Sequence, residues 1–113
     1  MKKRKPLVII GKKIKTPPFS LDARLEAGFL LGRLQEHMSL SMPHARKMPI
    51  IGKRCIELRI KDSNAEWRVI CRIDSEMILL IHVFSKKTKH TPKKVIDLCK
   101  QRIIKFDSIS GGA

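Results

Sequence analysis

The side chains best suited to chemistry in this sequence are arginines that alternate with apolar residues. They occur in Glu57-Leu58-Arg59-Ile60 and again in Trp67-Arg68-Val69-Ile70-Cys71-Arg72. In an extended chain successive side chains point to opposite sides, so Glu57 and Arg59 share one side, as do Arg68 and Arg72. If the two segments pair as a hairpin, Arg59, Arg68 and Arg72 all project from one sheet face. A planar guanidinium matches phosphate oxygens bidentately, so such a face is suited to a phosphate ligand. Two flanking segments add cations: Lys53 and Arg54 close a proline-containing loop, and Lys86, Lys87, Lys89 and His90 lie in Ser85-Lys86-Lys87-Thr88-Lys89-His90-Thr91. The acid–base groups near this face are Glu57, His82 and His90. Metal-free RNA cleavage needs a group to take the 2′-hydroxyl proton, cations to hold the phosphate as charge builds, and a donor for the leaving oxygen. These residue types could supply all three, but by themselves they define no reaction class.

The elements that must position these residues follow from periodicity. Leu7 to Ile10 is a short β-branched run that reads as a strand ending at Gly11. After Thr16-Pro17-Pro18-Phe19, Ser20 is placed to cap a helix, with Asp22 and Glu26 near its positive end. Ala23, Ala27, Leu30, Leu31, Leu34 and Met38 recur every three or four residues, which predicts an amphipathic helix from Leu21 to about Met38. Ser39 to Lys53 reads as a loop. Strands are then expected over 55–60 and 66–73, joined at Lys61-Asp62-Ser63-Asn64-Ala65. Met77 to Phe84 is almost wholly apolar, as in a strand buried on both faces and central in its sheet. Thr91-Pro92 reads as the cap and first position of a last helix, with a core stripe of Val95, Ile96, Cys99, Ile103 and Phe106 that frays by Asp107. The expected fold class is α+β: a small antiparallel sheet, made of the N-terminal strand plus a three-strand meander, with the helices packed on one face. On that arrangement the arginines face away from the helices.

The 113 residues hold 25 Lys plus Arg against 10 Asp plus Glu, a formal net charge of +15. That length fits a single domain over 1–113, with 1–6 as a basic arm and 108–113 as a tail. An excess of this size points to a polyanionic partner. Hydrophobic residues make up 42%, too many for a disordered basic tail. No apolar run is long enough for a bilayer, and Leu7-Val8-Ile9-Ile10 is too short for a secretory leader, so a cytoplasmic protein with no membrane partner is expected. Cys55, Cys71 and Cys99 are odd in number and lack close spacing, and His37, His44, His82 and His90 are scattered. Neither a disulfide framework nor a metal site is implied, and no cofactor is expected. Hydrolase triads, phosphate-binding glycine loops and paired-carboxylate motifs are missing from the sequence. Aromatic residues are only 4% and none is tyrosine, which argues against single-strand binding by base stacking.

The stretch from Met48 to Arg102 resembles the HigB/RelE toxin superfamily, in its phage-derived branch. The resemblance lies in Pro49-Ile50-Ile51-Gly52, Glu57-Leu58-Arg59-Ile60, Trp67-Arg68-Val69 and Val83-Phe84-Ser85-Lys86-Lys87-Thr88-Lys89-His90-Thr91-Pro92, followed by the helix from Lys93. It implies a RelE-like fold and the toxin half of a type II toxin–antitoxin pair, cleaving mRNA at the ribosome. The implied partners are the ribosome, mRNA and an acidic antitoxin of helix-turn-helix type. The resemblance puts Arg59, Arg68, Lys86 and Lys87 at the family's basic positions, with Arg68 on the scissile phosphate. Joined to the acid–base groups read above, the candidate catalytic set is Arg68, Arg59, Glu57 and His90. The resemblance implies that Lys86 and Lys87 hold the RNA or ribosomal backbone, and the basic segments read above add Lys89, Arg72, Lys53 and Arg54 as candidate RNA- or phosphate-binding residues. Relatives often carry a tyrosine where this chain has Cys71. The alternative reading is a non-catalytic relative on the same fold, a basic nucleic-acid binder or a gyrase poison.

Overall fold

The computed structural model describes residues 3–10, 19–63, 65–86 and 90–109. In chain order the elements are β1 (Leu7–Ile9), α1 (Leu21–Gln35), β2 (Ala45–Lys47), β3 (Cys55–Lys61), β4 (Glu66–Ile73), β5 (Ile78–Ser85) and α2 (Lys93–Ile109). The strands form one five-stranded sheet in the order β1-β5-β4-β3-β2. The α+β class and the β3-β4-β5 meander are as the periodicity predicts.

Several details depart from expectation. β1 pairs parallel to β5, Leu7 opposite Ile78, so the sheet is mixed rather than antiparallel. A further strand, β2, lies inside the segment read as loop and pairs Ala45 with Leu58 and Lys47 with Ile56. Three residues, of which only Ala45 is buried, are too few to produce a hydrophobic alternation. The middle of the sheet is β4, with β5 one place nearer the β1 edge.

The largest departure is that the helices cover opposite faces. Ala23, Ala27, Leu30 and Leu34 of α1 pack on Leu58, Ile60, Val69, Cys71 and Ile78. Val95 and Cys99 of α2 pack on Cys55, Ile70, Leu79 and Ile81 across the sheet. Burial on both faces explains why β4 and β5 carry apolar residues in both phases. The arginine face is therefore the α2 face, and α2 shares it rather than leaving it open.

Local chemistry sets the helix ends. Ser20 accepts a hydrogen bond from the Ala23 amide at 3.1 Å and so satisfies one of the unpaired donors of the first turn. α1 stops short of Met38 because His37 adopts φ 64°, which turns the chain out of the helix. Met38 is accordingly 45% exposed and not part of the core. In α2 the Val95 and Ile96 amides both donate to the Pro92 carbonyl, so the chain enters the helix at Pro92 and Thr91 is released for other work. The helix continues through Asp107 to Ile109.

β5 contains a bulge. Ile70 lies opposite His82 but Cys71 lies opposite Leu80, which leaves Ile81 as the extra residue. Its carbonyl accepts a hydrogen bond from the Arg102 guanidinium of α2 at 2.8 Å. No helix among the described residues is long and apolar enough to cross a membrane.

Candidate functional site

The register of β3 on β4 places Arg59 directly opposite Arg68, and β5 adds Phe84 beside Arg68. Like charges facing each other across a strand pair repel. Glu57, two residues along β3 on the same face, lies beneath them and is only 1% exposed. Its Oε1 is 3.4 Å from Arg68 Nε and 3.9 Å from Arg59 Nε. Its Oε2 accepts a hydrogen bond from the Thr91 hydroxyl at 2.7 Å. Arg68, itself 4% exposed, also donates to Glu66 Oε2 at 2.9 Å.

Lys86 completes the cluster at the end of β5, its backbone amide donating to the Glu66 carbonyl at 2.8 Å. Burial, followed by the neighbouring Arg68 charge, pushes its ammonium below the ordinary lysine range, while Glu57 and Glu66 act in the other direction. Three buried polar atoms here lack a hydrogen-bond partner: Glu57 Oε1, Arg59 Nε and Arg68 Nε. The three face one another, since Glu57 Oε1 is the atom both Nε groups approach, so the buried carboxylate meets the two guanidiniums as ion pairs without a formed hydrogen bond. Beside them opens a cleft of about 560 Å³ lined by Asp22, Glu26, Pro43, His44, Arg59, Lys61, Glu66 and Arg68.

Residues 18–103 match the family described as phage derived protein Gp49-like (DUF891). The chain belongs to the Gp49-like family. No curated protein matches it. The matched stretch of this Gp49-like protein contains every member of the cluster: Glu57, Arg59, Glu66, Arg68, Lys86 and Thr91.

The other candidate residues fall elsewhere. Arg72 lies on the expected face, is 8% exposed and is engaged with two carboxylates. Its guanidinium makes two hydrogen bonds to Asp74, at 2.9 and 3.0 Å, and two to Asp107 of α2, both at 2.9 Å. Asp107 holds the Arg72 charge in place, and Arg72 in turn keeps the Asp107 carboxyl below its ordinary range. Arg72 therefore clamps α2 to the sheet. Lys53 and Arg54 are exposed at the same remote end of β3, where Arg54 reaches Asp74 at 3.2 Å. Five residues of strand separate Arg54 from Arg59, about 16 Å, so one phosphate cannot bridge them. His90 is exposed and lines a separate cleft with Arg46, Lys47, Pro49 and Thr91. Lys87 and Lys89 lie outside the described residues. His82 stacks on Phe84 and approaches Arg102 with Nδ1 at 3.1 Å. Burial and the Arg102 charge both lower its pKa, which favours a neutral ring.

Sequence reasoning missed Thr91, which reads as a cap until Glu57 takes its hydroxyl. It also missed Glu66, although its position two residues before Arg68 on the same strand face was a usable signal. His44, Asp22 and Glu26 join the cleft through tertiary folding alone. Among the described residues no group of His, Cys, Asp and Glu is arranged to hold a metal ion.

Proposed function

We propose that this Gp49-like protein is the toxin of a type II toxin–antitoxin pair and acts as a ribosome-dependent mRNA endonuclease. The observation that carries the reading is the pair of facing guanidiniums, Arg59 and Arg68, held side by side over a buried Glu57 at the edge of a cleft. The association of the Gp49-like family with toxin components supports the same assignment. In the proposed reaction Arg68 and Arg59 hold the scissile phosphate and neutralise the charge that accumulates on it. Lys86, with its lowered proton affinity, and His90, next in the chain to the Thr91 that bonds Glu57, are the acid–base candidates. The 2′-oxygen loses its proton to one of them and bonds to phosphorus. The P–O5′ bond breaks, and the departing oxygen takes a proton, leaving a 2′,3′-cyclic phosphate. Glu57 is too buried to touch RNA, so its part is to hold the two guanidiniums side by side. The charge of +15 suits both the ribosome and an acidic antitoxin of helix-turn-helix type.

The test is inducible expression followed by primer extension on cellular mRNA. Growth arrest with discrete cuts, both abolished by Arg68→Ala in a protein that remains folded, is the expected result. Full toxicity of Arg68→Ala overturns the site. A second reading, a binder that does not cleave, draws on the absence of tyrosine and on the burial of Glu57. It predicts arrest without cuts, and DNA damage if gyrase is the target.

A further inference from the structure

Helix α1 has a second apolar face, turned away from the sheet. Ala23, Ala27, Leu30 and Leu34 point inward, while Leu21, Leu25 and Phe29, each four residues from the next, are 71, 64 and 60% exposed. A helix that is apolar on both sides is ordinarily covered on both. Gly28 and Gly32 fall on the same outer face by helical spacing. Each weakens the helix relative to alanine, and the chain's own packing calls for neither. A side chain at Gly28 would meet open space, and one at Gly32 only the end of Arg4, at 3.6 Å. Beside three large apolar side chains, the two glycines leave the helix backbone open to close approach by another helix.

The charges around this face select its occupant. Along the helix and its cap Asp22, Glu26 and Glu36 stand against Arg24 and Arg33, so α1 lacks the cationic excess of the whole chain. Arg4, at the border, is paired with Glu36 at 3.9 Å. An RNA or an acidic polypeptide therefore gains little here. Asp22 lies in the first turn and Arg33, over the Phe29 ring at 5.5 Å, in the last. They are about three turns apart and so on one flank of the stripe, a distribution complementary to its own reversal. We propose that the outer face of α1 is a homodimer interface, on which a second copy of this chain lays its own α1 antiparallel across a two-fold axis. Setting Leu25 against the second copy's Phe29 brings Asp22 beside the second copy's Arg33, and the symmetry repeats both contacts. Each helix dipole then has its positive end beside the other's negative end. A helix of 15 residues is only about 22 Å long, so the contact falls short of the roughly 800 Å² per partner of a standard interface. With +15 on each copy opposing association, the dimer should be of micromolar rather than nanomolar strength. The inference goes beyond the RNA reading and does not depend on it.

The experiment is sedimentation velocity of the full chain at physiological salt, from about 1 to about 500 μM. The sedimentation coefficient should rise with concentration from that of a 13.0 kDa monomer toward that of a dimer. Leu25→Asp and Phe29→Asp, both at exposed positions, should keep the parent circular dichroism spectrum and stay monomeric throughout. Asp22→Arg or Arg33→Asp alone should weaken the dimer about tenfold, because symmetry doubles each loss. The two charge changes combined in one chain should restore the parent affinity. A monomer at every concentration overturns the proposal. So does a dimer that persists in Leu25→Asp and Phe29→Asp, which puts the interface elsewhere. A combined charge exchange no tighter than the single ones overturns the antiparallel pairing.

Discussion

Replacing Glu57 by Gln tests whether a buried carboxylate holds the two arginines together. The substitution keeps shape and keeps an acceptor for the Thr91 hydroxyl, so the change is chiefly the loss of one charge. Glu57 and Arg68 are 1% and 5% exposed in their side chains and 3.4 Å apart. At an effective dielectric of about 20 the gross attraction at that distance is about 5 kcal/mol, much of it offset by desolvation. Removing one partner of a buried pair costs about 3–5 kcal/mol, because the other charge stays buried. Glu66, 2.9 Å from Arg68 but half exposed, takes over part of the compensation, which places the cost near the lower figure, about 3 kcal/mol. For a chain of this length the unfolding entropy converts each kcal/mol into about 4 °C, so Tm should fall by about 12 °C. Thermal and urea unfolding of Glu57→Gln, Arg68→Met and the double variant give the decisive comparison. The double variant should lose about 2 kcal/mol less than the two singles together, since the second change removes the charge stranded by the first. Strict additivity, or a Glu57→Gln protein as stable as the parent, refutes the reasoning.

Arg72→Met should cost about 3 kcal/mol in urea unfolding by taking the buried partner from Asp74, to which only the exposed Arg54 then remains, yet leave phosphate binding at Arg59 and Arg68 unchanged by NMR titration. Loss of phosphate binding with stability intact would place Arg72 in the binding set. Ser20→Ala removes the cap of α1 and should destabilise by about 1 kcal/mol, read from the same urea curves. Hydrogen bonds from the Ser20 amide and hydroxyl, with smaller help from Ser63 and Trp67, lower Asp62 from 3.8 to about 2. A carboxyl depressed in the folded state contributes stability that is complete above its unfolded pKa and is lost as pH falls through the folded value. Melting temperature should therefore decline between about pH 4 and pH 2, and Asp62→Asn should flatten that decline.

The parts of this molecule that were legible in its sequence are those governed by local periodicity. The alternation of Ile56, Leu58 and Ile60 with Glu57 and Arg59 correctly placed Arg59 and Arg68 on one face, because strand geometry leaves no other option once the hairpin forms. The proline, cap and apolar stripe likewise marked α1 and α2. What could not be read was the side of the sheet on which each helix lands. Ile70, apolar between Arg68 and Arg72, was the one sign that the arginine face is shared with α2, and it is a single residue. The same uncertainty hid the engagement of Arg72 with Asp107, which spans 35 residues and depends on where α2 lies. The cleft was hidden for a related reason, since Asp22, His44 and Arg59 come from three elements with no common period.

The parallel docking of β1 against β5 also dictates an order of events during synthesis. Leu7 leaves the ribosome first but has no partner until Ile78 follows it, 71 residues later. At about 5–20 residues per second that is a wait of roughly 4–14 s. Closing so long a loop costs about 4 kcal/mol in chain entropy, which the short β1 ladder must recover once the rest of the sheet is in place. By contrast, Glu57, Arg59, Arg68 and Lys86 all lie within one contiguous stretch of antiparallel meander. The charged cluster is thus composed of late-made, locally paired strands, while β1 must wait for a partner made long after it.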